Sequence, residues 1–331
     1  MSQHEGTDEL VARVDRCVAQ AGVGVRVGSV APLEGGHSGL TLAADLVAQD
    51  GSTRRIVLKA APAGRAGVGR HDMIRQARLF QALGAFQGVR VPEVLFAEEA
   101  DPPFFGMEFL DGEAVEPILD DVDLPAEVVY ERSLRAADML AALHAGDAGT
   151  IGIEDPRSIE QELERWSRTM ASVDPELVPG GDDLRQRLED SVPDERPPAV
   201  IHGDYRLGNI LCRGAQLLGI IDWEIWTIAD PRLDLGWFLA HFDAGNYPGI
   251  GHEVDGLPRP EEVLARYEQA SGRPVDDWPW FDAFGRFKLA AIMAHNLRRH
   301  REGRHVDPFQ ERLPPTIRHL IRTGAQRLPR G

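Results

Sequence analysis

The segment VIHGDYRLGNIL (200–211) sets His202, Asp204 and Asn209 between two short apolar runs. Runs of that kind bury, and polar groups carried inward with them need partners or a task. Downstream, NILCR (209–213) and LLGIID (217–222) read as the two strands of a hairpin turned at Gly214. Such a hairpin brings Asn209 and Asp222 towards each other at its open end. Asn and Asp oxygens on adjacent strands suit Mg²⁺, a hard ion that completes its shell with phosphate oxygens and water. Asp204, just upstream, is then free to accept a proton from an incoming hydroxyl. Metal on the phosphates and base on the nucleophile is the division of labour that phosphoryl transfer requires. Taken singly, Asp204 and Asn209 also suit turns and caps; the ordered set argues for chemistry.

The surrounding pattern is α+β. VRVGSVAPL (25–33), LTLAADLVA (40–48) and RRIVLKAA (54–61) read as strands, and EVLFAEEA with PFFGMEFL as a closing pair. One helix is expected over 71–86, with Ile74, Ala77, Leu79, Phe80 and Leu83 at near-helical spacing. After DGEAV (111–115) the chain turns helical, first over 126–146 and then from Ser158, where Gln161 completes a capping-box pattern. Beyond about 232 everything reads as helix and loop. The expected division is 1–107, a connector at 108–112, and 113–331.

Composition narrows the function. A net charge of −17 disfavours a nucleic-acid or anionic-membrane binder. Two cysteines, Cys17 and Cys212, give neither a disulfide framework nor a CxxC zinc pair. With no basic-then-apolar leader and no run approaching the ~20 residues of a membrane helix, a cytoplasmic chain is expected. Nothing in the sequence speaks to oligomeric state.

H-G-D-x-x-x-x-N followed by I-D-W-E resembles the aminoglycoside phosphotransferase family, kinase-like enzymes in which this segment performs the transfer. The resemblance extends to GGHSG (35–39), Lys59 in IVLK, MEFLDG (107–112), LAALHA (140–145) and ADPRLDLGW (229–237). It implies a bilobed, protein-kinase-like fold that binds ATP or GTP with Mg²⁺ and phosphorylates a small-molecule hydroxyl. It also implies site roles. Asp204 would be the base, with Asn209 and Asp222 as metal ligands. Gly36 and Ser38 would lie over the phosphates, Lys59 would orient them, and Glu108 and Leu110 would meet the adenine. His202, Asp230 and Asp234 would brace the catalytic loop. Trp166, Trp223 and Trp226 are expected in the core or a cleft wall, and His144 at a helix end.

ELERW with SGRPVDDWPWFDAFGRFKLAAIM resembles the branch associated with acyl-CoA dehydrogenases, which implies hydroxyacyl-CoA acceptors. Arg298, Arg299, Arg301 and Arg304 then read either as solvated cations at a helix C-terminus or as an anion-binding rim. One departure stands out: the helix after Lys59 carries Gln76 where the family has a glutamate to pair with that lysine. A nucleotide-binding protein without catalysis is the alternative this departure supports.

Overall fold

Leu10, Val14 and Val18 recur at intervals of four, the spacing that lines one helix face. They lie on α1 (Gln3–Gln20), a helix absent from the sequence expectation. The structure, a computed structural model, describes residues 3–20, 25–33, 40–61, 72–152 and 155–329. Gly36 and Ser38 fall outside them. The chain divides into two compact units: one holds residues 1–86, 90–111 and 218–225, the other 87–89, 112–217 and 226–331. Asp222 therefore groups with Lys59, and Asp204 and Asn209 belong to the other unit.

The first unit is a five-stranded antiparallel sheet ordered β1-β2-β3-β5-β4, from β1 (Arg26–Pro32), β2 (Leu40–Val47), β3 (Thr53–Ala60), β4 (Val94–Glu98) and β5 (Phe104–Glu108). The α1 stripe packs with Leu42, Ala44, Ile56, Leu58, Ala60 and Phe104 in one core. Because strand side chains alternate, Lys59 points to the opposite face from Leu58 and Ala60. It is paired in register with Phe105, whose ring lies 6.0 Å from Phe80 of α2 (Met73–Leu83). The helix expected over 71–86 is thus confirmed but shorter. Asp72 caps it by accepting from the Arg75 N–H, and its last turn closes onto the Gly84 N–H.

The second unit is mostly helical, with α3 (Ala126–Ala145), α4 (Ile159–Ala171), α5 (Gly181–Asp190), α6 (Arg232–Leu239), α7 (Pro260–Ser271), α8 (Trp278–Arg301) and α9 (Pro314–Arg327). The capping box at Ser158 and Gln161 forms as expected. Two short strands missed by the sequence reading, β6 (Ala199–Ile201) and β9 (Thr227–Ala229), pair antiparallel. The expected strands β7 (Ile210–Arg213) and β8 (Gln216–Ile220) both form, and β8 runs from this unit into residues 218–225 of the first. None of the described helices is long and apolar enough to cross a membrane.

Helices α6 and α8 cross at Gly236 and Gly285. A Cβ on Gly236 would sit 2.3 Å from the Phe281 carbonyl oxygen, and one on Gly285 would sit 2.6 Å from the Gly236 carbonyl oxygen. Both contacts are with backbone, which cannot swing aside. Gly236→Ala is therefore expected to cost ~1–3 kcal/mol by forcing the helices apart. Urea denaturation should register the loss.

Candidate active site

β6 delivers the chain into the loop His202–Asn209, where Gly203 turns with a φ of 82°. Asp234 of α6 is fully buried and spends one oxygen on each of two loop amides: His202 N–H at 2.6 Å and Gly203 N–H at 2.8 Å. Asp204 N–H in turn donates to His202 Nδ1 at 3.1 Å. Below the loop, Tyr205 donates its hydroxyl to the Ala136 carbonyl at 2.8 Å. The bracing roles of His202 and Asp234 follow from these bonds.

Asp204 and Asn209 meet. Asn209 Nδ2 donates to both the Asp204 carbonyl and its Oδ2, each at 2.8 Å. With its nitrogen directed there, the amide keeps Oδ1 as its acceptor side. The other Asp204 oxygen lies 3.4 Å from Arg206 Nε, and the side chain is 26% exposed. Arg206 also reaches Glu116, a buried carboxylate that accepts from the Gly208 N–H at 3.2 Å. Burial pushes Glu116 up to about 7, against the opposing pull of the Arg206 charge and the Gly208 bond. No sequence signal marked Glu116.

Asp230 braces a different segment. It accepts from the Arg196 N–H and from the Arg232 backbone and guanidinium, tying the stretch before β6 to the start of α6. His144 does more than close α3. Its Nδ1 lies 2.8 Å from the Tyr267 hydroxyl and its Nε2 3.7 Å from Asp234. Trp166, Trp223 and Trp226 are buried, as expected.

In the first unit, Lys59 Nζ lies 3.8 Å from both Asp222 and Glu224. Gln76 is buried on α2, and the carboxylates within ion-pair reach of Lys59 come instead from the I-D-W-E segment. This answers the departure noted at Gln76. Trp223 sits between those two carboxylates in sequence and packs edge-on to Phe80 at 6.4 Å, which fixes the segment. Asp222 adopts a φ of 64°, a left-handed conformation uncommon outside glycine and concentrated at functional sites. Its carboxylate is 45% exposed.

Glu108 ends β5 and donates its N–H to the Glu93 carbonyl. Leu110 lies over Gly219, where any Cβ would fall 2.6 Å from its Cδ1.

The implied Mg²⁺ is tested by donor chemistry. Asn209 offers an amide oxygen and Asp222 a half-exposed carboxylate, both hard donors. Among the described residues no group of three or more His, Cys, Asp or Glu forms a metal cage. Mg²⁺ sites completed by substrate phosphates do not need one. Each of the two donors, taken by itself, is of the type Mg²⁺ takes.

Three of the four arginines named at the α8 terminus have partners within the chain. Arg301 is bound by Glu311, Arg298 and Arg304 lie beside Glu302, and Arg298 also donates to the Ser172 carbonyl.

The first unit thus holds a lysine beside two carboxylates, and the second a braced Asp–Asn loop. A Ralstonia eutropha structure named for the aminoglycoside phosphotransferases shares the fold, with a TM-score of 0.74 at 24% identity over 91% of this chain and 93% of that one. The spectinomycin phosphotransferase APH(9)-Ia, solved with ADP and spectinomycin, matches with a TM-score of 0.60 at 12% identity over 97% and 98%. The model of the phosphotransferase enzyme family (APH) matches residues 29–284, and the chain belongs to that family. Among full-length relatives, IBR3 of Arabidopsis thaliana, whose name assigns it to the acyl-CoA dehydrogenases, is 29% identical over 278 residues. That match takes in 74% of this chain but 33% of the relative, so the chain spans about a third of that protein's length.

Proposed function

We propose that this phosphotransferase moves the γ-phosphoryl group of ATP, with Mg²⁺, to a hydroxyl of a small molecule, and that the acceptor is a hydroxyacyl-CoA. The observation that carries the reading is the Asp204–Asn209 pair. A partly exposed carboxylate is held by the amide nitrogen of a residue whose oxygen remains available to a metal.

Asp204 accepts the hydroxyl proton as that oxygen attacks the γ-phosphorus in line, and the bond to the β–γ bridging oxygen breaks to release ADP. Mg²⁺, when bound, neutralises the phosphate oxygens, and Asn209 and Asp222 would hold it. Gly36 and Ser38 would cover the phosphates, Lys59 would orient them, and Glu108 and Leu110 would bound the adenine. GTP is a second donor to be tried. Glu224 keeps Lys59 extended, so Glu224→Gln is expected to raise the KM for ATP about threefold with kcat little changed, the size of a partly screened ion pair. Steady-state kinetics checks this.

The acyl-CoA reading draws on IBR3, whose name carries that chemistry. A screen of Mg-ATP with hydroxyacyl-CoAs, aminoglycosides and other small alcohols, read by mass spectrometry, tests both parts. The expected result is one phosphoryl group added to a hydroxyacyl-CoA. Phosphorylation of an aminoglycoside alone would refute the acceptor, and nucleotide binding without any product would favour the non-catalytic alternative.

A further inference from the structure

The sequence holds 34 arginines and two lysines, Lys59 and Lys288. Arginine serves almost everywhere a cation is needed, so the two exceptions mark places suited to a compact ammonium with three donors. Lys59 is accounted for above. Lys288 lies inside the apolar run FGRFKLAAIM of α8 and is 5% exposed. A buried ammonium is costly unless paired and hydrogen-bonded, and a methionine would fill the same space at no such cost.

What Lys288 touches explains its retention. Nζ donates to the Gly203 carbonyl and sits over two indole faces, 4.4 Å from the Trp237 centroid and 5.1 Å from that of Trp166. Both distances suit a cation–π contact. Burial pulls its pKa down to about 8, while the charges of Asp234, Glu162 and Asp204 favour the ammonium and Arg165 opposes it.

The Gly203 carbonyl belongs to the same peptide plane as the Asp204 N–H. That plane is held at both ends: the carbonyl by Lys288, the N–H by His202 Nδ1. The preceding plane is held by Asp234 through the Gly203 N–H. Gly203, at a φ of 82°, is the residue that could most easily pivot. Anchors from α6 and α8 on its two sides remove that freedom, and the Gly236–Gly285 crossing brings the two helices close enough to share the task.

We propose that Lys288 is a positioning residue of the transfer reaction, its ammonium fixing the Gly203–Asp204 peptide and so the direction in which the Asp204 carboxylate points. The proposal rests on the function argued above.

Full-length wild type, Lys288→Met and Lys288→Gln form the test. Met removes the donor at similar volume, and Gln restores a neutral one. Lys288→Met should lower kcat about a hundredfold, the scale of a 1 Å misplacement of a reacting group. KM for ATP should hold and Lys288→Gln should recover much of the rate, a split that loss of stability alone does not produce. Independently of activity, amide exchange at Gly203 and Asp204 should quicken at least about tenfold in Lys288→Met, while α8 amides keep their protection. Unchanged exchange at Gly203 and Asp204 overturns the proposal, as does unchanged kcat. A wild type without transfer refutes the function argued above, and exchange then still decides the anchor.

Should Lys288→Met not fold, wild type labelled with ¹⁵N-lysine gives two ammonium signals by NMR. The Lys288 signal should exchange slowly with water, and rapid exchange would overturn the anchor.

Discussion

Asp204→Asn should lower the rate of phosphoryl transfer by about 10²–10⁴, the usual worth of a general base, while nucleotide affinity holds. The substitution is nearly isosteric. An amide oxygen at position 204 can still accept from Asn209 Nδ2, now bonded to Asp204 Oδ2 at 2.8 Å. The loop amides remain on Asp234 and His202. What is lost is the group able to take a proton, together with the ion pair to Arg206. Calorimetric titration with Mg-ATP beside the kinetic assay separates the two effects. Full activity in Asp204→Asn would remove Asp204 from the chemistry.

The second large effect concerns Asp234. Asp234→Ala strands two buried N–H donors, those of His202 and Gly203, and removes the charge that most favours the Lys288 ammonium. Removing one partner from a buried charged network typically costs ~3–5 kcal/mol. Urea denaturation should show a fall of that order, and transfer should disappear even where the variant stays folded. Burial alone would raise the Asp234 carboxyl; the His144 imidazole 3.7 Å away, with His202 and the Lys288 ammonium, reverses that and holds it below the ordinary value. A carboxyl depressed on folding contributes its full stability above its unfolded pKa, about 3.9, and loses it as pH falls through the lower native value. The stability gap between wild type and Asp234→Ala should therefore be constant near neutrality and shrink in acid. A gap that widened in acid would contradict the assignment.

Much of this was legible in the sequence because it is local. Strand alternation located all five strands of the first sheet, and the Ser158–Gln161 spacing foretold a capping box. H-G-D-x-x-x-x-N put Asp204 and Asn209 within one loop, and the structure closes them into a hydrogen-bonded pair.

What escaped depends on contacts between distant segments. Glu224 and Asp222 reach Lys59 across more than 160 residues, so a search for its partner along the following helix could meet only Gln76. Helix α1 left a usable trace in Leu10, Val14 and Val18, spaced by four so that they share one face. Glu116 carried no trace, since its role arises from Arg206 and Gly208 some ninety residues away. Lys288 likewise takes its role from a distant segment, the Gly203 carbonyl 85 residues before it.

Transfer of an intact phosphoryl group from ATP to a hydroxyl is followed directly by ³¹P NMR. In a mixture of the chain, Mg-ATP and a hydroxyacyl-CoA, the γ-phosphate resonance should decay as a new phosphomonoester resonance grows in equal amount, with neither change in Asp204→Asn. Growth of inorganic phosphate without the ester, or a spectrum that does not change, would contradict the account.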